Sequence, residues 1–280
     1  MKKIIARMPI WIRICCILFL GLVLVSVFAD VLMPYDPDAT ALIDRNKPPV
    51  FMGGDFNHIL GTDELGRDML SRLLYGSRIS LGMALFGIIF GGSIGVLIGL
   101  TAGYFGGKWD RLVMAMINFQ ESVPFTLIIL IGVVVLGRGI PVLMCFIGMA
   151  KWEYYAKFIR SLVLGIKEKQ FVEAAKSYHA SSLRVIFKYI FPAVIPSFIV
   201  ALTLTFPSVL MIESSLSFVG IGVQPPTATL GQMVGTGRNY LVTFPWISLV
   251  PAAVIVIYSY CVQQIGGWLR DELDVRSLKD

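Results

Sequence analysis

Six stretches of this chain come close to the ~20 apolar residues that an α-helix needs to cross a hydrocarbon core. They run from about Trp11 to Met33, Ile79 to Phe105, Leu112 to Leu136, Ile140 to Tyr155, Ile190 to Ile212 and Leu241 to Trp268. Every backbone polar group in lipid needs a partner within the protein, so runs of this kind fold as helices. With 56% hydrophobic and 15% charged residues over 280 positions, and mean hydropathy +0.77, the chain is too apolar for a soluble or a disordered domain. The expectation is an all-α polytopic membrane protein with six transmembrane helices. The fourth run is short, and Lys151 and Glu153 are expected to emerge at the cytosolic face, with Trp152, Tyr154 and Tyr155 among the headgroups.

Charge sets the expected orientation. With both termini inside, 17 of the 24 Lys and Arg fall on the cytosolic side and 7 on the outer side, as the positive-inside rule demands. The net charge of +6 is therefore read as topology, and no folded basic module supports a nucleic-acid partner. Lys2, Lys3 and Arg7 before an apolar run could also announce a signal peptide with Val27-Phe28-Ala29 as its cleavage site. The uncharged core from Ile14 to Ala29 exceeds a usual h-region, so the first span is expected to stay. Cys15, Cys16, Cys145 and Cys261 fall in predicted spans and read as small hydrophobes. With His58 and His179 outside the spans, no metal-ligand cluster is visible.

A basic island from Lys151 to Lys188 interrupts the apolar chain with eight Lys/Arg and three Glu. Unpaired charge and open backbone are too costly in lipid, so the island is expected in the cytosol as a docking surface. Positive-inside charge alone explains basic residues in such a place. It does not explain an Ala-rich helix former, a turn, and a second segment capped at Ser181 or Ser182 that runs into a proline-bounded apolar span.

The second span carries glycines at 87, 91, 95, 99, 103 and 107. A small residue every four positions makes a stripe along one side of a helix, on which another helix can approach closely. Helix packing is the expected role, with Val96 facing lipid. A phosphate-binding loop before Lys108 is excluded, because Ala102 stands where its first glycine would be and Trp109 where Ser or Thr would be. Any energy source must then be another subunit or an ion gradient.

Between the first two spans, His58 to Leu81 reads as an amphipathic helix. Thr62 or Asp63 caps its start, and Leu65, Met69, Leu70, Leu73 and Leu74 form the apolar face. Glu121 near Pro124 and Glu213 at the end of the fifth span are the notable charges near the spans. Glu121 is either a boundary residue or a functional one, and Glu213 is placed at the outer interface.

The string from Glu173 through Ala174, Ala175 and His179 to Ile190 and Pro192 resembles the signature loop of ABC-importer permeases. The string Gly61-Thr62-Asp63, Gly66-Arg67-Asp68, Ser71-Arg72 resembles the second permease subunit of dipeptide, oligopeptide and nickel importers. So do Met33-Pro34-Tyr35-Asp36-Pro37, Ser217 to Pro226, and Trp268 to Asp274, so the resemblance covers nearly the whole chain. It implies a binding-protein-dependent permease fold with a cytosolic helix-turn-helix coupling loop. The organisation is then a tail and first helix at 1–33, an extracytoplasmic segment with the amphipathic helix at 34–78, a core permease domain at 79–268 with the coupling loop at 151–189, and a cytosolic tail at 269–280.

The resemblance implies a non-catalytic subunit of the bacterial inner membrane that binds no cofactor itself, with ATP and Mg on two cytosolic ATPase subunits. A similar permease would complete the path, and an extracytoplasmic solute-binding protein would deliver peptides or a related solute. It assigns the ATPase contact to Glu173, Ala174, Ala175, His179, Ser181, Arg184 and Pro192, and leaves Asn118, Glu121 and Glu213 for the path or its gate. Small Ala174 and Ala175 would let a partner surface approach, and Glu173 would meet a basic group or a helix N-terminus. The family pattern has Gly where this chain has His179, an acidic residue for Asn118, Trp for Leu230, Asp for Gly267 and Pro for Val275. An ion-coupled secondary transporter would instead show paired broken helices and buried ionisable residues. An intramembrane enzyme would need a nucleophile or metal set, and neither is evident.

Overall fold

A computed structural model describes residues 8–137 and 139–277, with side chains as far as Leu273. Among the described residues helices predominate and there is no strand, only an isolated bridge between Thr62 and Asp68. The helices are α1 (Ile10–Val27), α2 (Met69–Phe105), α3 (Gly107–Ser122), α4 (Phe125–Leu136), α5 (Ile140–Met149) and α6 (Trp152–Ile166). They continue with α7 (Gln170–Ser177), α8 (Ser182–Phe218), α9 (Leu230–Gly237) and α10 (Trp246–Ser277).

Four helices, α1, α2, α8 and α10, are long and apolar enough to cross a membrane. The pair α3 and α4 passes the same test together but is bent by 87° at Val123 and Pro124. Helices α5 and α6 are each short of a full crossing, yet in succession they follow one face of α2. Six crossings are compatible with this arrangement.

The glycine stripe of α2 explains that pairing. A methyl group on Gly87 would fall 2.8 Å from Ile147, on Gly95 2.6 Å from the Trp152 carbonyl oxygen, on Gly99 2.6 Å from the Ala156 carbonyl oxygen, and on Gly103 2.8 Å from Val163; on Gly91 it would strike the Gly148 carbonyl oxygen. The partner numbers rise with the α2 numbers, so α5 and α6 run parallel to α2 with backbones in contact. The stripe ends at Gly103. Gly106 and Gly107, at φ 64 and 61, form the corner into α3. Val96 is buried at 6% against α6 and does not face lipid, a correction to the expectation; Leu97 next to it is the exposed residue.

The helix that begins at Trp152 thus continues along α2 past Tyr155, the end expected for the fourth span, as far as Ile166. Trp152–Ile166 is a bundle helix, and the loop proper starts after it. Charges on this helix are tolerated because they are paired across to α3. Lys157 meets Glu121 at 3.0 Å, Arg160 pairs with Asp110, and Glu153 accepts from Gln120 at 2.9 Å. Paired charges of this kind carry less of a penalty near lipid than the unpaired ones expected from the sequence.

The predicted amphipathic helix from His58 is also corrected. Residues up to Asp68 form a tight loop, and the helix that follows is already α2. Asp68 caps it, accepting from the Ser71 amide at 2.8 Å and from His58 Nδ1 at 2.9 Å. Asp63, expected as a cap, instead accepts the Leu65 and Arg67 amides at 2.9 Å each and the Arg67 side chain at 2.7 Å. Gly66 must be glycine: its φ is 76 and the Ala41 carbonyl lies against it. Buried Arg72 donates to the Pro37 carbonyl at 2.9 Å and to Gln232 of α9 at 3.3 Å. The Gly-Thr-Asp string is thus a polar staple joining the segment before α2 to α9, and Trp246 at the start of α10 adds a bond to the Thr62 carbonyl at 3.2 Å. Helix α1 leans on α10 and α8 through Phe19 against Tyr258 and Phe206, and through Ser26 hydrogen-bonded to Tyr258 at 2.9 Å.

Candidate coupling loop and membrane groove

Helix α7, a turn at His179 and the start of α8 form a helix-turn-helix at the end of the bundle where α2 and α6 finish. Val172 and Ala175 of α7 and Val185, Ile186 and Ile190 of α8 are buried together with Leu100 of α2 and Val163 of α6. The turn closes α7 by two bonds. The His179 amide donates to the Lys176 carbonyl at 2.9 Å, and the Ala180 amide to the Ala175 carbonyl at 3.2 Å. This pairing requires a left-handed residue between them, and His179 sits there at φ 56. Ser181 takes the N-cap position of α8 without a side-chain bond to the helix. Lys176 lies 5.7 Å from the Tyr104 ring centre, and Lys167 donates to the Gly103 carbonyl at 3.2 Å, so the loop is tied to the end of α2.

The predicted residues of this loop divide by exposure. Glu173, Ala174, His179, Ser181, Arg184 and Pro192 are exposed. Ala175 is 6% exposed and belongs to the loop's own core, so it does not offer itself to a partner. The exposed set includes apolar residues that the motif did not single out: Tyr178 at 88%, Leu183 at 66% and Phe171 at 44%. Their signal in the sequence was apolar side chains inside a charged loop. Pro192 does not end a helix. It lacks the N–H that would bond four residues back, and the π-helical turn at Ile186–Ile190 widens the backbone just ahead of it so that α8 continues.

Two helix breaks meet elsewhere in the bundle, at Val123 with Pro124 and at Ala150 with Lys151. Gln120 holds them together: its amide donates to the Met149 carbonyl at 3.3 Å and to Glu153, and its oxygen accepts from Trp152 at 2.6 Å. Beside the breaks lies a groove of about 750 Å³ lined by Glu121, Pro124, Lys151 and Glu153, with Ser208 and Ser215 of α8 on its far wall. Of the predicted path residues only Glu121 reaches it. Asn118 is exposed on α3 outside the groove. Glu213, expected at the outer interface, is buried within the protein. It is 1% exposed and accepts from Ser80 at 3.2 Å and Ser217 at 3.0 Å, while Ser80 in turn accepts the Leu230 amide at 3.0 Å. It pins α2, α8 and α9 together.

Residues 95–274 match the family described as the binding-protein-dependent transport system inner membrane component, and residues 13–49 match the N-terminal transmembrane domain of oligopeptide transport permease C. The chain belongs to that family of membrane permeases of ABC importers. It is 34% identical to the nickel transport system permease protein NikC of Escherichia coli K12 over 94% of this chain and 93% of that one. It is 32% identical to the oligopeptide permease OppC of Bacillus subtilis 168, over 94% and 85%, and 34% identical to the dipeptide permease DppC of the same organism, over 92% and 79%. Among solved structures, two inward-facing crystal forms of the MetNI methionine ABC transporter align with TM-scores of 0.59 and 0.61 at 23% and 22% identity. Each alignment covers 72% of this chain and 97% of that one, and each supports the fold.

Proposed function

We propose that this chain is the non-catalytic half of a paired translocation path in an importer of di- or oligopeptides, driven by ATP hydrolysis on separate subunits. In this reading α7 and the start of α8 dock on an ATPase. The observation that carries it is the combination at residues 171–184: a helix-turn-helix with its own buried core, fastened to α2, that presents Glu173, Ala174, Tyr178 and Leu183 outward. A surface loop with no partner has no need of so rigid a seat for exposed apolar side chains. Closure of two ATPase subunits would pull on this loop and, through the contacts with Leu100 and Gly103, on α2.

The second permease would cover α3 and α4, where Phe119, Ile131, Val134 and Val135 are each more than 60% exposed. An extracytoplasmic binding protein would deliver the solute at the end that holds α9, with both termini of the chain in the cytosol and the protein in the bacterial inner membrane. The peptide assignment is supported by the dipeptide and oligopeptide relatives, with nickel or another peptide-derived solute as the alternative cargo.

The paired helix breaks favour a second reading, an ion-coupled carrier working alone. Affinity purification of the tagged chain from native membranes decides between the two. An ATPase, a second permease and a binding protein in stoichiometric yield support the importer, and a chain that purifies alone and transports when reconstituted overturns it.

A further inference from the structure

The groove at the two helix breaks holds two opposite charges, Lys151 and Glu153, without a close ion pair between them. No charged residue lies between Arg78 and Lys108 of the sequence, and Gly91 and Gly95 lie midway, roughly 20 Å of helix from either end at ~1.5 Å per residue. Gly91 and Gly95 are the glycines against which Gly148 and Trp152 pack, so Lys151 and Glu153 sit level with the middle of the apolar stretch of α2. Ionisable groups at that depth face protein, water or a partner charge. Glu121 is held by Lys157, and one oxygen of Glu153 by Gln120. Lys151 is half-buried and lines the groove; among the described residues its ammonium makes no side-chain hydrogen bond or close ion pair, and the charge nearest to act on it is that of Glu153. Glu153 also accepts from its own amide and that of Tyr154 at the start of α6, so its carboxylate is held in place facing the groove.

We infer that this groove is a solute-contact site within the translocation path, taking a small zwitterion whose carboxylate is received by Lys151 and whose ammonium is received by Glu153. The inference rests on the permease reading above and adds to it a site and the residues that hold the solute. The two groups are two positions apart at the start of α6, both on the groove side, so one solute reaches both. The volume of about 750 Å³ suits a solute of peptide size. Ser215 opposite supplies a hydroxyl, and Ser208, whose proton goes to the Thr205 carbonyl at 2.8 Å, supplies an accepting oxygen. A site with one receptor of each sign holds a zwitterion weakly enough to release it, because the two receptors attract each other once the solute has left.

The test reads the charge that the groove presents, and needs no knowledge of the natural solute. Ser208→Cys is introduced in the complete chain with the native cysteines replaced by alanine. Inside-out membrane vesicles from the native host, holding the assembled transporter, are treated with sulfonatoethyl, neutral and trimethylammonioethyl methanethiosulfonates. Both charged reagents are expected to react. Lys151→Met is expected to slow the anionic reagent about tenfold relative to the neutral one, Glu153→Gln to slow the cationic reagent similarly, and Lys151→Arg to keep the parent rates. An unreactive thiol at position 208, or rate ratios unchanged in Lys151→Met and Glu153→Gln, overturns the inference. So does loss of the second permease on purification of Lys151→Met, which would make Lys151 an interface ion. Failure of the unsubstituted chain to purify with an ATPase sinks the permease reading instead, and leaves the labelling ratios to decide the groove.

Discussion

The amide of Ala180 donates to the carbonyl of Ala175 at 3.2 Å, and the bond forces the intervening His179 into the left-handed region at φ 56. A non-glycine residue there carries a cost of roughly 1–2 kcal/mol that glycine does not. His179→Gly is therefore expected to stabilise the loop by up to ~1 kcal/mol, less than the full relief because glycine also gains freedom in the unfolded chain. His179→Val is expected to destabilise it. Amide exchange of residues 171–185 in purified protein checks both directions.

Ala174 and Ala175 are neighbours with opposite duties. Ala174→Asp is expected to leave the loop folded and weaken partner docking. Ala175→Asp puts a charge among Val172, Val185 and Ile186 and is expected to unfold the loop, at several kcal/mol. Exchange protection separates the two. Normal protection in Ala175→Asp would contradict the placement of this residue in the loop core.

Gly95→Leu and Gly99→Leu are expected to lower stability in detergent by ~1–3 kcal/mol, because the added side chain meets the backbone of α6 rather than a movable tip. Leu97→Ile, on the exposed side of the same helix, is the tolerated control. Equal melting of all three would show that α2 and α6 are not packed on the glycines.

Glu64 lies in the loop before α2, where burial, with help from the charge of Asp63, raises its pKa. Its folded form holds the proton more tightly than the unfolded chain does. Stability is thus greatest below the ordinary glutamate pKa and falls as pH rises from that value through the raised one. Glu64→Gln is expected to be more stable than the parent at pH 8 by up to ~1 kcal/mol and equal to it near pH 3. Melting curves across that range give the crossover, and a difference that grows toward low pH would contradict the sign.

Much of the architecture was legible in the residues. Apolar runs of the right length located α1, α2, α8 and α10, and a four-residue glycine repeat announced a close helix contact. The partner of that contact was not legible, because Lys151, Glu153, Lys157 and Arg160 made α6 look cytosolic. Only the fold shows that Gln120, Glu121 and Asp110 of α3 stand opposite them. The helix expected from His58 failed for a related reason. Leu65 and Met69 have helical spacing, but Gly61 and Gly66 at positive φ and the bonds of Asp63 to local amides hold the chain in a loop until Asp68. Local capping chemistry overrode the apolar period. The burial of Glu213 was not legible because its partner Ser80 is 133 residues away in sequence, a distance over which no local pattern speaks.

The central claim is that the exposed face of α7 transmits force from an ATPase to the membrane helices. The most direct measurement is solute-stimulated ATP hydrolysis by the assembled transporter in proteoliposomes, comparing the parent with Glu173→Lys. Glu173 is exposed, its side chain is not part of the loop core, and reversing its charge should leave the spans folded. The account predicts a permease pair that still assembles but binds ATPase at least tenfold more weakly, about 1.4 kcal/mol or more, with hydrolysis no longer stimulated by solute. Undiminished ATPase binding and stimulation in Glu173→Lys, and again in Ala174→Asp, would contradict it.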